Sequence, residues 1–421
     1  MGDASFMTTL QTGVGLVALL HVVVPQVLGG QQPTDSTKST IVGREDNWRT
    51  DLAFFAKELP ARHVNAFKYV TPEAFARAVA EVDSAIPHLT DRQIRWRLMR
   101  LTALVRDGHT NAEMPMYPQR LPITIWWADD GPYITGTTLP YAGLAGHRIV
   151  GLNGQPIGAV ADTIRRYLAH ENEMGFRQRA GWILHYPGAQ YDVGLSRDSM
   201  SATLELEDAD GRRSTATLPV VPRAGFAVVP PRNGEPLYRE RPNEKYWVAY
   251  LADARAVFLK YNQCRDPEEF TLLTDSIARL LDAGATRLII DLRHNAGGDS
   301  RVIEPLIEAI RRRPAINRPD ALYAIIGRGT FSSGMAAAHH LRTKTRATIV
   351  GEPIGERPNT FGELRRFTLP HSGIEVTYST QYYRFAPGEP DAFMPDVPVS
   401  ITPDAIVAGR DPVLEWIVAR R

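Results

Sequence analysis

Between residues 46 and 106, apolar positions recur every three or four residues in three runs, WRTDLAFFAKEL, TPEAFARAVAEVDSAI and TDRQIRWRLMRLTALVR. That is the spacing of amphipathic helices. Thr71 and Thr90 stand where N-caps belong, and Pro72 falls in a first turn, where its missing N–H costs nothing. A helical domain over residues 41–115 is predicted. From 116 to 225 the pattern changes to short β-branched or apolar runs (LPITIWWA, HRIVGLN, ATLELEDADGRRSTATLPVV) broken by Gly, Pro and Asp-Gly turns. Only PIGAVADTIRRYLAHE keeps a helical period there, which predicts a β-rich module with one helix. Residues 226–245, rich in Pro and charge, predict a linker. Over 246–421 the patterns alternate: RAVFLKYN, a helix from Pro267 to Ala283, RLIIDLR, a helix from Arg301 to Arg312, ALYAIIG, a helix from Ser332 to Arg342, then ATIVG. This order predicts a layered α/β domain with buried strands.

Composition narrows the function classes. The chain has 421 residues, 43% hydrophobic and 23% charged, which suits several domains with real cores and excludes wholesale disorder. Basic and acidic residues number 48 and 47, so no positive surplus exists for tracking a phosphate backbone and no nucleic-acid partner is expected. The single cysteine, Cys264, excludes an intramolecular disulfide and a Cys-based zinc site. There is no HExxH run and no clustered ligand pattern, so neither a metal nor another cofactor is expected. Residues 13–28 are apolar, shorter than the ~20 residues of a membrane-spanning helix, and followed by the polar GGQQPTDSTKST. They read as a signal peptide within residues 1–40, with Gly29 or Gly30 at the cleavage site, although the first twelve residues contain no Lys or Arg. A secreted or periplasmic protein without an integral membrane domain is expected; without a functional signal, the protein would be cytoplasmic.

The candidate chemistry lies at strand ends, where buried strands release their loops. In LIIDLRHNAGGDS, paired glycines let backbone N–H groups approach a ligand oxygen, as an oxyanion hole requires. In AIIGRGTFSSGMAAAHHL, Ser332 and Ser333 open a helix. Each is either an N-cap or a nucleophile favoured by the positive end of the helix dipole. A serine nucleophile needs a base, and His109 in LVRDGHTNAEM stands out in a turn after the last N-terminal helix. His339 and His340 lie two turns into the Ser332 helix and read as packing or surface groups.

In this order, DGHT, DLRHNAGG, TFSSGMAAA, IVGEPIGERPNTFGE and MPDVPV resemble the tail-specific and C-terminal-processing serine peptidases, in particular their tricorn-core-like branch. The resemblance spans residues 46–421. It implies a crotonase-like layered catalytic core, an N-terminal helical domain and a PDZ-like domain, whose Asn-Gly turn and helix match GLAGHRIVGLNGQPIGAVADTIRRYL. Carried over by motif, Ser332 is the nucleophile, and Ser333 is its rival or an oxyanion donor beside Gly297 or Gly298. The processing branch uses a lysine base where this chain has Arg357, whose guanidinium cannot be deprotonated near neutral pH. The tricorn-like branch uses a histidine, matched by His109, preceded by a serine where this chain has Gly108. Its closing carboxylate is matched by Glu389, with Asp391 as alternate. The implied activity is a serine endopeptidase acting on unfolded or C-terminal segments of a peptide or protein substrate. The alternatives are a binding protein for a small lipophilic or peptide ligand on the same fold, and a serine esterase. Arg293, His294 and Arg357 either meet a substrate carboxylate or form salt bridges, and Tyr382, Tyr383 and Phe385 either line a cleft or pack.

Overall fold

The three N-terminal runs fold as helices, α1 (Ser36–Arg62), α2 (Pro72–Ala85) and α3 (Asp91–Ala103). Thr71 Oγ1 accepts from Ala74 N–H at 3.2 Å. Thr90 forms a capping box, accepting from Gln93 N–H at 3.3 Å while Gln93 accepts from Thr90 N–H at 2.9 Å. The computed structural model describes residues 36–420, and the expected signal peptide with its cleavage site at Gly29 or Gly30 lies outside them. The chain divides into residues 1–44 and residues 45–421. The described part of the first unit is helical, and the second unit carries everything below.

The middle segment holds an antiparallel sheet of β1 (Ile123–Ala128), β2 (Gly131–Thr137), β3 (Arg148–Leu152), β4 (Ser201–Glu207) and β5 (Arg213–Pro219), adjacent in chain order. α4 (Ile157–Arg165) is the expected helix. Three more, α5 (Glu173–Arg179), α6 (Gly181–Leu184) and α7 (Pro187–Asp192), occupy a stretch where none was predicted. Each is too short to display a 3.6-residue period, and Gly181 and Pro187 punctuate the run. Phe55, Leu98 and Ile94 from the helical segment share one core with Ile134, Ile149, Phe176 and Leu204 from the middle segment. These two segments therefore do not bury separate cores.

The last segment is the predicted alternation. β6 (Tyr246–Leu251) pairs antiparallel with β7 (Ala256–Tyr261), and β8 (Arg287–Asp291), β9 (Leu322–Ile326) and β10 (Thr348–Gly351) follow in parallel. α8 (Pro267–Asp282), α9 (Glu304–Arg311) and α10 (Ser333–Lys344) make the crossovers. Sequential strand order with right-handed crossovers puts these helices on one face, where Phe270, Ile307, Met335 and Leu341 pack on Leu259 and Ile290. Phe258, Ile289 and Val350 face the other way, against Ile406 and Val413 of the C-terminal helices α11 (Pro403–Ala408) and α12 (Pro412–Val418). Covering both faces explains why these strands read as continuous apolar runs.

After β10 the chain forms a long hairpin, β11 (Asn359–Thr368) and β12 (Glu375–Arg384), and the two-residue strand Asn111–Ala112 pairs with the far side of β12. A short strand, β13 (Val397–Pro398), then completes the parallel sheet beside β10. The Asn111 pairing anchors the turn that contains His109 beside the ends of β8, β9 and β10. No described helix is long and apolar enough to cross a membrane.

Candidate active site

β9 ends in a loop that turns into α10 at Ser332. This residue has φ 55° and ψ −127°, a conformation that a residue with a Cβ adopts only where its surroundings impose it. Phe331 N–H donates to Asn295 O at 2.8 Å on one side, and Ser332 N–H donates to Glu356 Oε2 at 2.5 Å. A serine at an N-cap ordinarily caps its helix, yet the Ser332 hydroxyl caps nothing. It lines a cavity of about 1560 Å³ together with His109, Gly297, Gly298 and Ser333. The Ser333 hydroxyl is committed elsewhere, donating to Gly298 O at 2.6 Å.

The glycine turn has φ 105° at Gly297 and 136° at Gly298, values open only to glycine without strain. A Cβ on Gly297 would lie 2.7 Å from Ser332 Cβ, and one on Gly298 would lie 2.1 Å from Cys264 O. Gly297 N–H donates to Asn295 Oδ1 at 2.9 Å, so it is occupied rather than offered to a ligand, a departure from the sequence expectation. Gly298 N–H has no acceptor in the chain among the described residues, and Ser333 N–H belongs to the first turn of α10, which no intrahelical carbonyl satisfies. These are the amides open to an oxyanion.

His109 follows α3 in the turn Asp107–Thr110 and is buried, its ring tilted on Phe331 with centroids 4.4 Å apart. Its Nδ1 stands 3.6 Å from Asp107 Oδ1 and 3.7 Å from Glu356 Oε1, and neither ring nitrogen is hydrogen-bonded. Asp107 is a fixed anion. It accepts from His109 N–H at 2.8 Å, Thr110 Oγ1 at 2.6 Å and Ser379 Oγ at 2.7 Å, and its Oδ2 stands 3.1 Å from His63 Nε2. Burial alone would raise its pKa, but the nearby His109 imidazole and the hydrogen bond with His63 outweigh it and hold the carboxyl far below its usual range. Burial alone would likewise depress His109, but Asp107, Glu356 and Glu171 prevail and raise it. Glu356 is raised chiefly by burial, and Glu171 is pushed up to about 8 by burial and by its acidic neighbours.

The carboxylates beside His109 are thus Asp107 and Glu356, and the expected partner is elsewhere. Glu389 is about half exposed and binds Lys68 Nζ and Tyr382 Oη, each at 3.1 Å. Asp391 pairs with Arg357 at 3.2 Å. A carboxylate on the lysine-held surface cannot orient a buried imidazole. Asp107 and Glu356 lie inside the quoted motifs DGHT and GEPIGERPNTFGE, where proximity to His109 was the missing information. Glu171 had no signal, because it comes from the middle segment.

Gly108 has no room for a side chain: a Cβ there would sit 2.9 Å from Phe331 Cζ and 3.0 Å from Glu171 Oε1. That explains why a serine is not found before this histidine. Arg293 is buried between Asp291 and Asp411, at 2.6 and 2.7 Å, and is a salt bridge rather than a substrate group. His294 lines the cavity and is pushed down to about 3 by burial. His340 pairs with Glu304 at 3.1 Å and His339 packs on Phe385, as surface and packing groups. Tyr383 and Phe385 line the cavity. Asp107, His109 and Glu171 bring potential ligand atoms within 4.8 Å of one another. The hydrogen bonds converging on Asp107 already engage its lone pairs, which leaves that carboxylate poorly suited to a metal.

No family model and no curated protein matches the sequence. Among solved structures, mature CPAF complexed with lactacystin is similar over 89% of this chain and 97% of its own, at 14% identity and TM-score 0.61. A CPAF point mutant is similar over 89% and 96%, at 13% identity and TM-score 0.62. The chain has the fold of CPAF. The photosystem II D1 C-terminal processing protease is matched over 88% of this chain and 96% of its own, at 12% identity and TM-score 0.42.

Proposed function

We propose that the protein is a serine endopeptidase of the tail-specific type, cleaving unfolded or C-terminal segments of protein substrates with Ser332 as nucleophile and His109 as base. The observation that carries this reading is Ser332 itself: a strained residue at the head of α10 whose hydroxyl caps nothing and opens into the cavity that His109 also lines. In this reading Ser332 Oγ attacks the scissile carbonyl, His109 takes its proton and then returns it to the leaving amine. Gly298 N–H and Ser333 N–H receive the oxyanion, a contribution of about 3 kcal/mol per donor. Asp107 and Glu356, both flanking Nδ1, support the imidazolium, and Glu356 also fixes the Ser332 backbone. The middle sheet takes the place of the PDZ-like part and would receive an extended chain along a strand. The apolar stretch at residues 13–28 supports export of the protein, with a cytoplasmic protein as the alternative if that stretch is not a signal.

The test is labelling with a fluorophosphonate probe, mapped by peptide mass, on the wild type, Ser332→Ala and His109→Ala. Labelling at Ser332 that both variants abolish is expected. A folded protein that takes no label at any serine would overturn the reading in favour of a binding protein on this fold.

A further inference from the structure

Glu171 reaches the site from the loop before α5, and its carboxyl group is fully enclosed. Oε1 accepts from Gly108 N–H at 3.1 Å and Oε2 from Arg357 N–H at 3.0 Å. Thr360 Oγ1 stands between two glutamates, 2.9 Å from Glu356 Oε1 and 3.3 and 3.4 Å from the oxygens of Glu171. A threonine hydroxyl has one proton. If it donates to the nearer Glu356, the contact with Glu171 opposes oxygen lone pairs unless Glu171 carries a proton of its own. The charges around Glu171 demand the same. The carboxyls of Asp107 and Glu356 face it, the His109 ring and the buried Arg179 guanidinium are the nearby basic groups, and His63 lies behind Asp107. Arg179 directs its guanidinium to Ala169 O and Gly108 O, and among the described residues no Lys or Arg nitrogen forms an ion pair with Glu171 or Glu356.

We propose that Glu171 is a positioning residue for His109: it stands as a carboxylic acid, donates to Thr360 Oγ1, and so leaves Glu356 as the one anion of the pair facing the imidazole. Its carboxyl oxygens meanwhile hold the Gly108 and Arg357 amides, which fixes the turn before His109 and the loop that carries Glu356. Ionising Glu171 sets two enclosed anions against each other across Thr360 and displaces Glu356 from the imidazole. The consequence for rate rests on the serine peptidase reading, whereas the protonation state does not.

Two measurements on the full chain test this. Infrared spectra at neutral pH should show a protonated carboxyl band in the wild type that Glu171→Gln removes. The rate of fluorophosphonate labelling should fall at least about threefold in the wild type as the pH rises through about 8, and should stay flat in Glu171→Gln. At neutral pH, Glu171→Gln keeps the donor toward Thr360 and gives up one accepted amide, for a loss of about tenfold or less. Glu171→Ala gives up all of them and should lose far more, with Gln as the conservative rescue. Absence of the band, or superimposable pH profiles for wild type and Glu171→Gln, would overturn the proposal. A band without any labelling sustains the acid form of Glu171 and instead removes the peptidase reading.

Discussion

Glu356 and Ser332 are joined by a 2.5 Å bond from the serine backbone N–H to Oε2, while Oε1 of the same carboxylate stands 3.7 Å from His109 Nδ1. One side chain thereby sets the backbone of the proposed nucleophile and the field at the proposed base. The contact with the imidazole is electrostatic at this distance, longer than a hydrogen bond, and Asp107 Oδ1 stands 3.6 Å from the same nitrogen.

Glu356→Gln keeps an acceptor for the Ser332 N–H but removes the charge beside the imidazole. The expected loss in kcat is large, up to roughly 10⁴-fold, the loss seen when the carboxylate of a serine triad is neutralised. Glu389→Gln, on the Lys68 and Tyr382 surface, should stay within about threefold, since exposed pairs contribute little. Steady-state kinetics on a peptide substrate compare the two. Equal losses would return Glu389 to the site.

Gly108→Ala places a methyl 2.9 Å from the Phe331 ring, which is stacked on His109. The ring must move, at a cost of about 1 to 3 kcal/mol in stability, and the imidazole loses its support. Activity should drop at least tenfold. Adding Phe331→Ala should restore much of the stability loss, a non-additivity that a double-mutant thermal-melt cycle would reveal.

The α/β segment was legible because its strands are buried on both faces and its helices are amphipathic, so residues 288–290 and Leu322–Ile326 appear as unbroken apolar runs between periodic ones. Ser332, His109 and the glycine turn were legible because each sits in a short local motif. Glu356 was in view but unassigned, since only the approach of the β10 loop to the Asp107–Thr110 turn makes it a neighbour of His109. Glu171 was illegible: its partners Gly108, Arg357 and Thr360 are distant in sequence, and α5 to α7 are too short to show a period. Gly297 shows the opposite limit, because a glycine pair announces close approach without telling which amide an internal acceptor such as Asn295 Oδ1 has taken.

Stability should decline from mildly acidic to alkaline pH. Glu171, raised to about 8 in the folded state against about 4.3 unfolded, contributes stability that is complete below about pH 4.3 and lost as the pH rises through about 8. His109, also raised, acts in the same direction from about 6.5 upward. Asp107, depressed, is opposite in sign and matters only on the acid side, where its contribution is lost as the pH falls below about 3.9. Thermal melts from pH 5 to 9 should therefore show a falling midpoint. Glu171→Gln should flatten much of that fall. A wild-type midpoint that rises across this range would contradict the assigned directions.

Ser332 and Ser333 separate by what each hydroxyl does. Ser333 Oγ donates to Gly298 O at 2.6 Å, which ties the glycine turn to the start of α10, while its N–H lies in the first turn of α10, where no intrahelical carbonyl accepts it. Ser333→Ala removes the tie and keeps the amide, so labelling at Ser332 should persist with a loss of about tenfold or less, the worth of one hydrogen bond. Ser332→Ala removes the proposed nucleophile, and activity should fall to the residual level that oxyanion binding alone supports, several orders of magnitude lower. Gly297→Ala tests the frame between them. Its Cβ would strike Ser332 Cβ at 2.7 Å from a backbone with φ 105°, so labelling should be lost even where circular dichroism shows a folded chain. If Ser333→Ala is the variant that abolishes labelling and Ser332→Ala retains it, the nucleophile is Ser333 and the strain at Ser332 serves only to aim its neighbour.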